Sequence, residues 1–87
     1  MASYKIVVKK SVSKDLRTIP NKDVARILQC IETLQENPRP TGSEKLSGLE
    51  RYRIRQGIYR IIYEVMDEHL IITIVKVGHR KHVYQRN

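Results

Sequence analysis

Arg51-Tyr52-Arg53-Ile54-Arg55-Gln56-Gly57-Ile58-Tyr59-Arg60 alternates charged and apolar side chains up to a glycine. Side chains of a strand point to opposite faces with period two. Arg51, Arg53 and Arg55 therefore share one face, and Tyr52 and Ile54 take the other. The stretch predicts a strand over 50–56, a turn at Gly57 and a second strand over 58–66. Asp67-Glu68 predicts another turn, followed by a third strand over 69–77 that ends at Gly78. Such short connections make the three strands an antiparallel meander.

Upstream of the meander, residues 39–48 carry Pro and Gly with little apolar content and read as a loop. Before that loop, Val24, Ile27, Leu28, Ile31 and Leu34 follow the spacing of one apolar stripe on a helix. Pro20-Asn21 starts that helix, and Asn37-Pro38 stops it. A shorter helix runs to about Thr18, with Ser11 or Ser13 as its N-cap and Val12 and Leu16 on one side. Tyr4-Lys5-Ile6-Val7-Val8 reads as an opening strand. The expected class is α+β, in the order β-α-α-β-β-β, with two helices packed on one face of an antiparallel sheet.

A chain of 87 residues is expected to form a single domain over 1–87 with one modest core. Without Trp or Phe, that core must be built from Ile, Val, Leu and the five Tyr. Seventeen Lys and Arg stand against nine Asp and Glu, a net charge of +8. That bias speaks about partners: nucleic acid, an anionic membrane surface or an acidic protein. The one cysteine, Cys30, cannot form an internal disulfide, which fits a reducing cytoplasm, and it reads as a packing residue in a helix. No apolar run approaches the ~20 residues of a membrane span, so no membrane association is expected. The N-terminal residues lack the apolar segment of a signal peptide.

Seven cations are concentrated in two stretches, 51–60 and 76–84. Guanidinium groups present planar forks of donors that match phosphate oxygens and stay charged at any working pH. A solvated strand face is the alternative reading of the same row. His69, His79 and His82 are accompanied by no carboxylate cluster or cysteine pair, so neither a metal nor another cofactor is expected. There is no nucleophile elbow and no glycine-rich phosphate loop. Metal-free phosphodiester chemistry on RNA remains, in which the substrate's own 2′-OH is the nucleophile. Arg53, Arg55, Arg60 and Arg80 would stabilise the transition-state oxygens. His82, His79 and Tyr84 are the nearby groups of ordinary acid-base use. Arg51, Lys76, His79 and Lys81 would hold the RNA backbone. Tyr52, Tyr59 and Tyr63 read as core or cross-strand partners in preference to stacking platforms. Tyr84 could equally pack the tail.

The sequence resembles the RelE toxins of toxin–antitoxin systems, within the RelE/ParE superfamily. Four segments carry the resemblance: Tyr4-Lys5-Ile6-Val7-Val8; Asn37-Pro38-Arg39-Pro40 with Glu44-Lys45-Leu46-Ser47-Gly48-Leu49; Tyr52 through Tyr63; and Val77-Gly78-His79-Arg80-Lys81-His82-Val83-Tyr84. It implies a microbial-RNase-like α+β fold and a ribosome-dependent mRNA endonuclease acting in the A site. The implied partners are an acidic RelB-like antitoxin, the ribosome and mRNA, with operator DNA reached only through the antitoxin. Family catalytic positions fall on Arg53, Arg55, Arg60, Arg80 and Tyr84. The founding branch often has Lys at the first two. Arg is a poor general base, so either a neighbour such as His82 takes that role, or acid-base help is weak and electrostatics dominates. A ParE-like gyrase inhibitor, or a homologue acting without catalysis in a repressor complex, is the alternative.

Overall fold

In a computed structural model of the chain, residues 3–46 and 50–79 are described. The elements are β1 (Lys5–Val8), α1 (Lys10–Arg17), α2 (Asn21–Thr33), β2 (Glu44–Lys45), β3 (Arg51–Gln56), β4 (Tyr59–Met66) and β5 (Ile71–His79). The sheet order is β1-β5-β4-β3-β2.

The meander forms as the alternation predicts. Gln56 faces Tyr59 across the β3–β4 hairpin, so Gly57-Ile58 is a two-residue loop. Gly57 has φ +61°, and Ile58 is not in the left-handed region, the pattern of a turn that needs glycine first. Two features differ from expectation. The sheet is mixed, because β1 lies parallel to β5 with Val8 opposite Ile74. The loop over 39–48 contains the two-residue strand β2, whose Glu44 pairs with Arg53. Both pairings join segments whose register a local pattern does not encode.

A bulge interrupts β5. Ile62 pairs with Lys76 and Tyr63 with Ile74, which leaves Val75 as an extra residue. The bulge puts Ile72, Ile74 and Val77 all into the core, although a regular strand would turn Val77 away.

The core lies between the helices and one sheet face. Tyr52, Ile54, Ile61, Tyr63, Val65, Ile72, Ile74 and Val77 meet Val12, Ile27, Ile31 and Leu34. Tyr63 is fully enclosed, stacks on Tyr52 at 5.8 Å and donates its hydroxyl to the Pro38 carbonyl at 2.7 Å. Burial pushes its phenol up to about 12. Leu28 departs from the expected stripe and is 44% exposed, because Ile27 and Ile31 already fill the face that α2 turns inward. Neither serine caps α1. Lys9 occupies the N-cap without a side-chain bond, and its carbonyl accepts the amides of Val12 and Ser13. The helix starts one residue after β1 and so precedes both serines. Cys30 is half-buried against the core, where burial raises its thiol pKa.

Raised phenol pKa values make a prediction. The native state favours neutral Tyr63, so its contribution is complete below the unfolded value near 10 and is lost as pH rises through about 12. Absorbance titration near 295 nm should show one phenol ionising near 12 in the native protein. Tyr63→Phe should remove that step.

Candidate phosphate cleft

β3 and β4 carry Arg55 and Arg60 as direct cross-strand partners, so both side chains leave the sheet on the face away from the helices. Arg53 lies two residues along the same face. These three guanidiniums, with Thr41, Gly42, Glu44 and Ile54, line an open cleft of about 380 Å³. Gly42 has φ +99°, a conformation that lets the loop turn back so that Glu44 pairs alongside Arg53 at the sheet edge.

Glu44 is the residue that sequence reasoning passed over. Its carboxylate pairs with Arg53, and among the described residues it is the only carboxylate lining the cleft. The Arg53 hydrogen bond and charge, reinforced by Arg55 and Arg60, hold its pKa below the ordinary 4.5. Only the β2–β3 register brings Glu44 to Arg53, and nothing in the spacing of the sequence announces it. Arg55 and Arg60 have no carboxylate partner among the described residues, and the enclosed Nε of Arg60 finds no acceptor there. The cleft thus holds more positive charge than it neutralises. The titration of Glu44 checks this geometry. Its carboxyl ¹³C signal should show a midpoint below 4.5, and Arg53→Ala should return the midpoint toward 4.5.

The other expected site residues separate into three groups. Arg51 belongs to the same row, but its Nε and Nη2 engage Glu64, its cross-strand partner, with Nε–Oε2 at 3.1 Å. Lys76 and His79 do not join the cleft. Lys76 reaches Asp15 of α1 at 3.4 Å, and the His79 ring meets Tyr59 edge-on at 6.3 Å. Arg80, Lys81, His82 and Tyr84 lie outside the described residues.

Arg39, a loop residue in the sequence reading, is a hub. It makes a two-pronged contact with Asp67, at 2.7 and 3.2 Å, and donates Nε to the Tyr52 hydroxyl at 2.7 Å. Tyr4 donates to the same Asp67 at 2.7 Å. The Arg39 guanidinium, with Tyr4, holds the Asp67 carboxyl below its usual range. This network ties the loop before β2 to the β4–β5 turn and to the residue before β1, and so fixes the loop that carries Glu44. Among the described residues, no group of three or more His, Cys, Asp or Glu is arranged to hold a metal ion, and no helix is long and apolar enough to cross a membrane.

An α+β sheet with an arginine cleft on its open face defines a class that comparison with known proteins makes specific. The sequence model of the family described as ParE toxin of type II toxin-antitoxin system, parDE, matches residues 6–84. RelE1 of Methanocaldococcus jannaschii is 33% identical over 86 residues, covering 94% of this chain and 96% of that protein. Toxin RelG of Mycobacterium tuberculosis is 28% identical over 87 residues, covering 95% and 98%. The archaeal RelE–RelB complex from Pyrococcus horikoshii OT3 contains a chain that superposes with a TM-score of 0.80 at 29% identity, covering 93% of this chain and 99% of that one. The chain belongs to the RelE family of toxins, within the ParE-type toxins of type II toxin–antitoxin systems.

Proposed function

We infer that this toxin is a metal-independent endoribonuclease that cuts mRNA in the ribosomal A site. The observation that carries the reading is the convergence of Arg53, Arg55 and Arg60 with one carboxylate, Glu44, on a single cleft. The 2′-OH attacks the adjacent phosphorus and the P–O5′ bond breaks, leaving a 2′,3′-cyclic phosphate and a 5′-OH. Glu44 accepts the proton from the 2′-OH. Ionised at neutral pH and held beside Arg53, it takes the base role that the sequence reading gave to His82. The arginines do not accept that proton; they donate to the non-bridging oxygens as charge develops there. Arg80 adds a further donor, and His82 or Tyr84 returns a proton to the leaving 5′ oxygen. The ribosome supplies the alignment of the mRNA that a small open cleft lacks.

A RelB-like acidic antitoxin is the proposed partner, as in the RelE–RelB complexes of Pyrococcus horikoshii and Methanococcus jannaschii. Operator DNA is reached through it, and the toxin works in the cytoplasm. With a net charge of +8 on the toxin, association should be fast and charge-steered. Stopped-flow mixing across a salt series should show the rate constant falling as ionic strength rises; a flat profile excludes the charge-steered part.

The ParE description of the matching family supports a second reading, inhibition of DNA gyrase. Brief induction without antitoxin separates the two. The nuclease reading predicts growth arrest with new mRNA 5′ ends inside translated regions. Intact mRNA with a supercoiling defect would establish the gyrase reading instead.

A further inference from the structure

β2 is two residues long, and its two side chains leave the sheet on opposite faces. Glu44 pairs across the strands with Arg53 and turns to the face of the arginine cleft, while Lys45 pairs with Tyr52 and turns to the helix side. So short a strand has little hydrogen bonding of its own to set its register. The Leu46 amide, just past its end, donates to the Arg51 carbonyl at 2.8 Å. A slip of one residue would exchange the two faces and take Glu44 off Arg53.

On the helix side, Lys45 meets a junction built on Glu50. Its Nζ donates to Glu50 Oε2 at 2.9 Å. The other oxygen, Oε1, accepts from the Tyr52 hydroxyl at 3.3 Å and from Arg39 Nη2 at 3.4 Å. Glu50 is itself tied to the sheet, since its carbonyl accepts the Val65 amide at 3.1 Å. Lys45, then Arg39 and Tyr52, hold its carboxyl below the ordinary 4.5, so the junction is charged at neutral pH. Charge therefore fixes the register from both faces: Glu44 against Arg53 on one, Lys45 against Glu50 on the other. In the slipped register Lys45 would face the arginines and Glu44 would face Glu50, two repulsions in place of two attractions. Lys45, Glu50 and Arg39 do not line the arginine cleft, so a phosphate held there does not meet them.

We propose that Glu50 is a positioning residue: by holding Lys45 on the helix side it sets the register of β2 and so keeps Glu44 against Arg53 for proton abstraction. This inference rests on the nuclease reading for what Glu44 does, though not for where Glu44 is held. The Lys45–Glu50 pair is exposed, and such a pair alone shifts an equilibrium only a few-fold. Glu50 takes three side-chain contacts, and the alternative register is penalised on both faces, so loss of its charge is felt beyond one pair.

The carboxyl ¹³C signal of Glu44 reads its place independently of cleavage. Glu50→Gln keeps the shape of the side chain and removes its charge. Loss of a nearby anion would by itself lower the Glu44 midpoint, whereas separation from Arg53 raises it toward 4.5, so the sign identifies the cause. The expected result is a rise, at unchanged circular dichroism, with faster hydrogen exchange at the Leu46 amide. Lys45→Met should speed the same exchange, and Lys45→Arg, which keeps the pair, should leave both signals as in the wild type. A positioned base is worth about 10²–10⁴ in rate, and Glu50 governs part of that. On programmed ribosomes, kcat for Glu50→Gln should therefore fall by about tenfold with KM unchanged, because the arginines that bind phosphate stay in place. A Glu44 midpoint that falls or stays in Glu50→Gln overturns the proposal, and so does a raised midpoint with full kcat. A raised midpoint in a toxin whose wild type cuts no RNA keeps the register clasp and removes the nuclease reading. An unmoved midpoint with cleavage by the wild type does the reverse.

Discussion

Arg60→Ala should lower mRNA cleavage by about 100-fold or more while the fold persists. Arg60 sits at the start of β4, lines the arginine cleft and has no carboxylate partner among the described residues. Its charge is therefore available to developing negative charge on a phosphate. Truncation removes that donor and leaves no carboxylate stranded, so stability should change little. Arg51→Ala is the control from the same strand face. Arg51 is engaged by Glu64, so its removal should cost far less activity. Initial rates on programmed ribosomes, at matched circular dichroism, give both numbers. Equal losses in the two variants would show that the row acts as a diffuse charge and not as a site.

Leu34→Ala should destabilise the fold by about 2–5 kcal/mol. Leu34 is completely enclosed at the end of α2, among the side chains that join the helices to the sheet. A domain of this size has roughly 4–13 kcal/mol of stability in total, so the loss is a large fraction of it. The melting temperature should fall by more than about 10 °C. Leu28→Ala, from the same apolar stripe but 44% exposed, should stay within about 0.5 kcal/mol. Thermal denaturation of the pair tests which side of α2 carries the packing.

The meander was legible because it is local. Tyr52 and Ile54 are buried, while Arg51, Arg53 and Arg55 lie on the opposite face, as period two requires. The second helix was legible for the same reason, apart from Leu28, whose place in the periodicity does not reveal which flank of a stripe the sheet covers. Long-range pairing was not legible. The parallel union of β1 with β5 joins segments about 66 positions apart, and the β5 bulge that turns Val77 inward has no glycine or proline to mark it. The same limit divides the site. Arg55 and Arg60 are brought together by a two-residue turn and could be read directly. Glu44 reaches Arg53 through β2, and Lys76 is drawn to Asp15 on α1; neither contact follows from the composition of either stretch.

Placing Glu44 as base also limits what removing metal should do. On the proposed reading the guanidiniums supply the positive charge and Glu44 the base, so a chelator used with enough magnesium to keep ribosomes assembled should leave cleavage unchanged. Assembled ribosomes can be checked by sedimentation in the same buffer, because EDTA strips the magnesium they need.

The central claim is that one arginine–carboxylate cleft cuts RNA by 2′-OH attack. The most direct measurement is end-group analysis of mRNA exposed to the purified toxin on ribosomes, for wild type, Glu44→Gln and Arg60→Ala. The account predicts 2′,3′-cyclic phosphate and 5′-OH ends from the wild type, and at least ~100-fold slower formation of the same ends from Arg60→Ala. It also predicts a marked loss in Glu44→Gln, which keeps the shape of the side chain and removes the base. Products ending in 3′-OH and 5′-phosphate, or full activity in both variants, would contradict it.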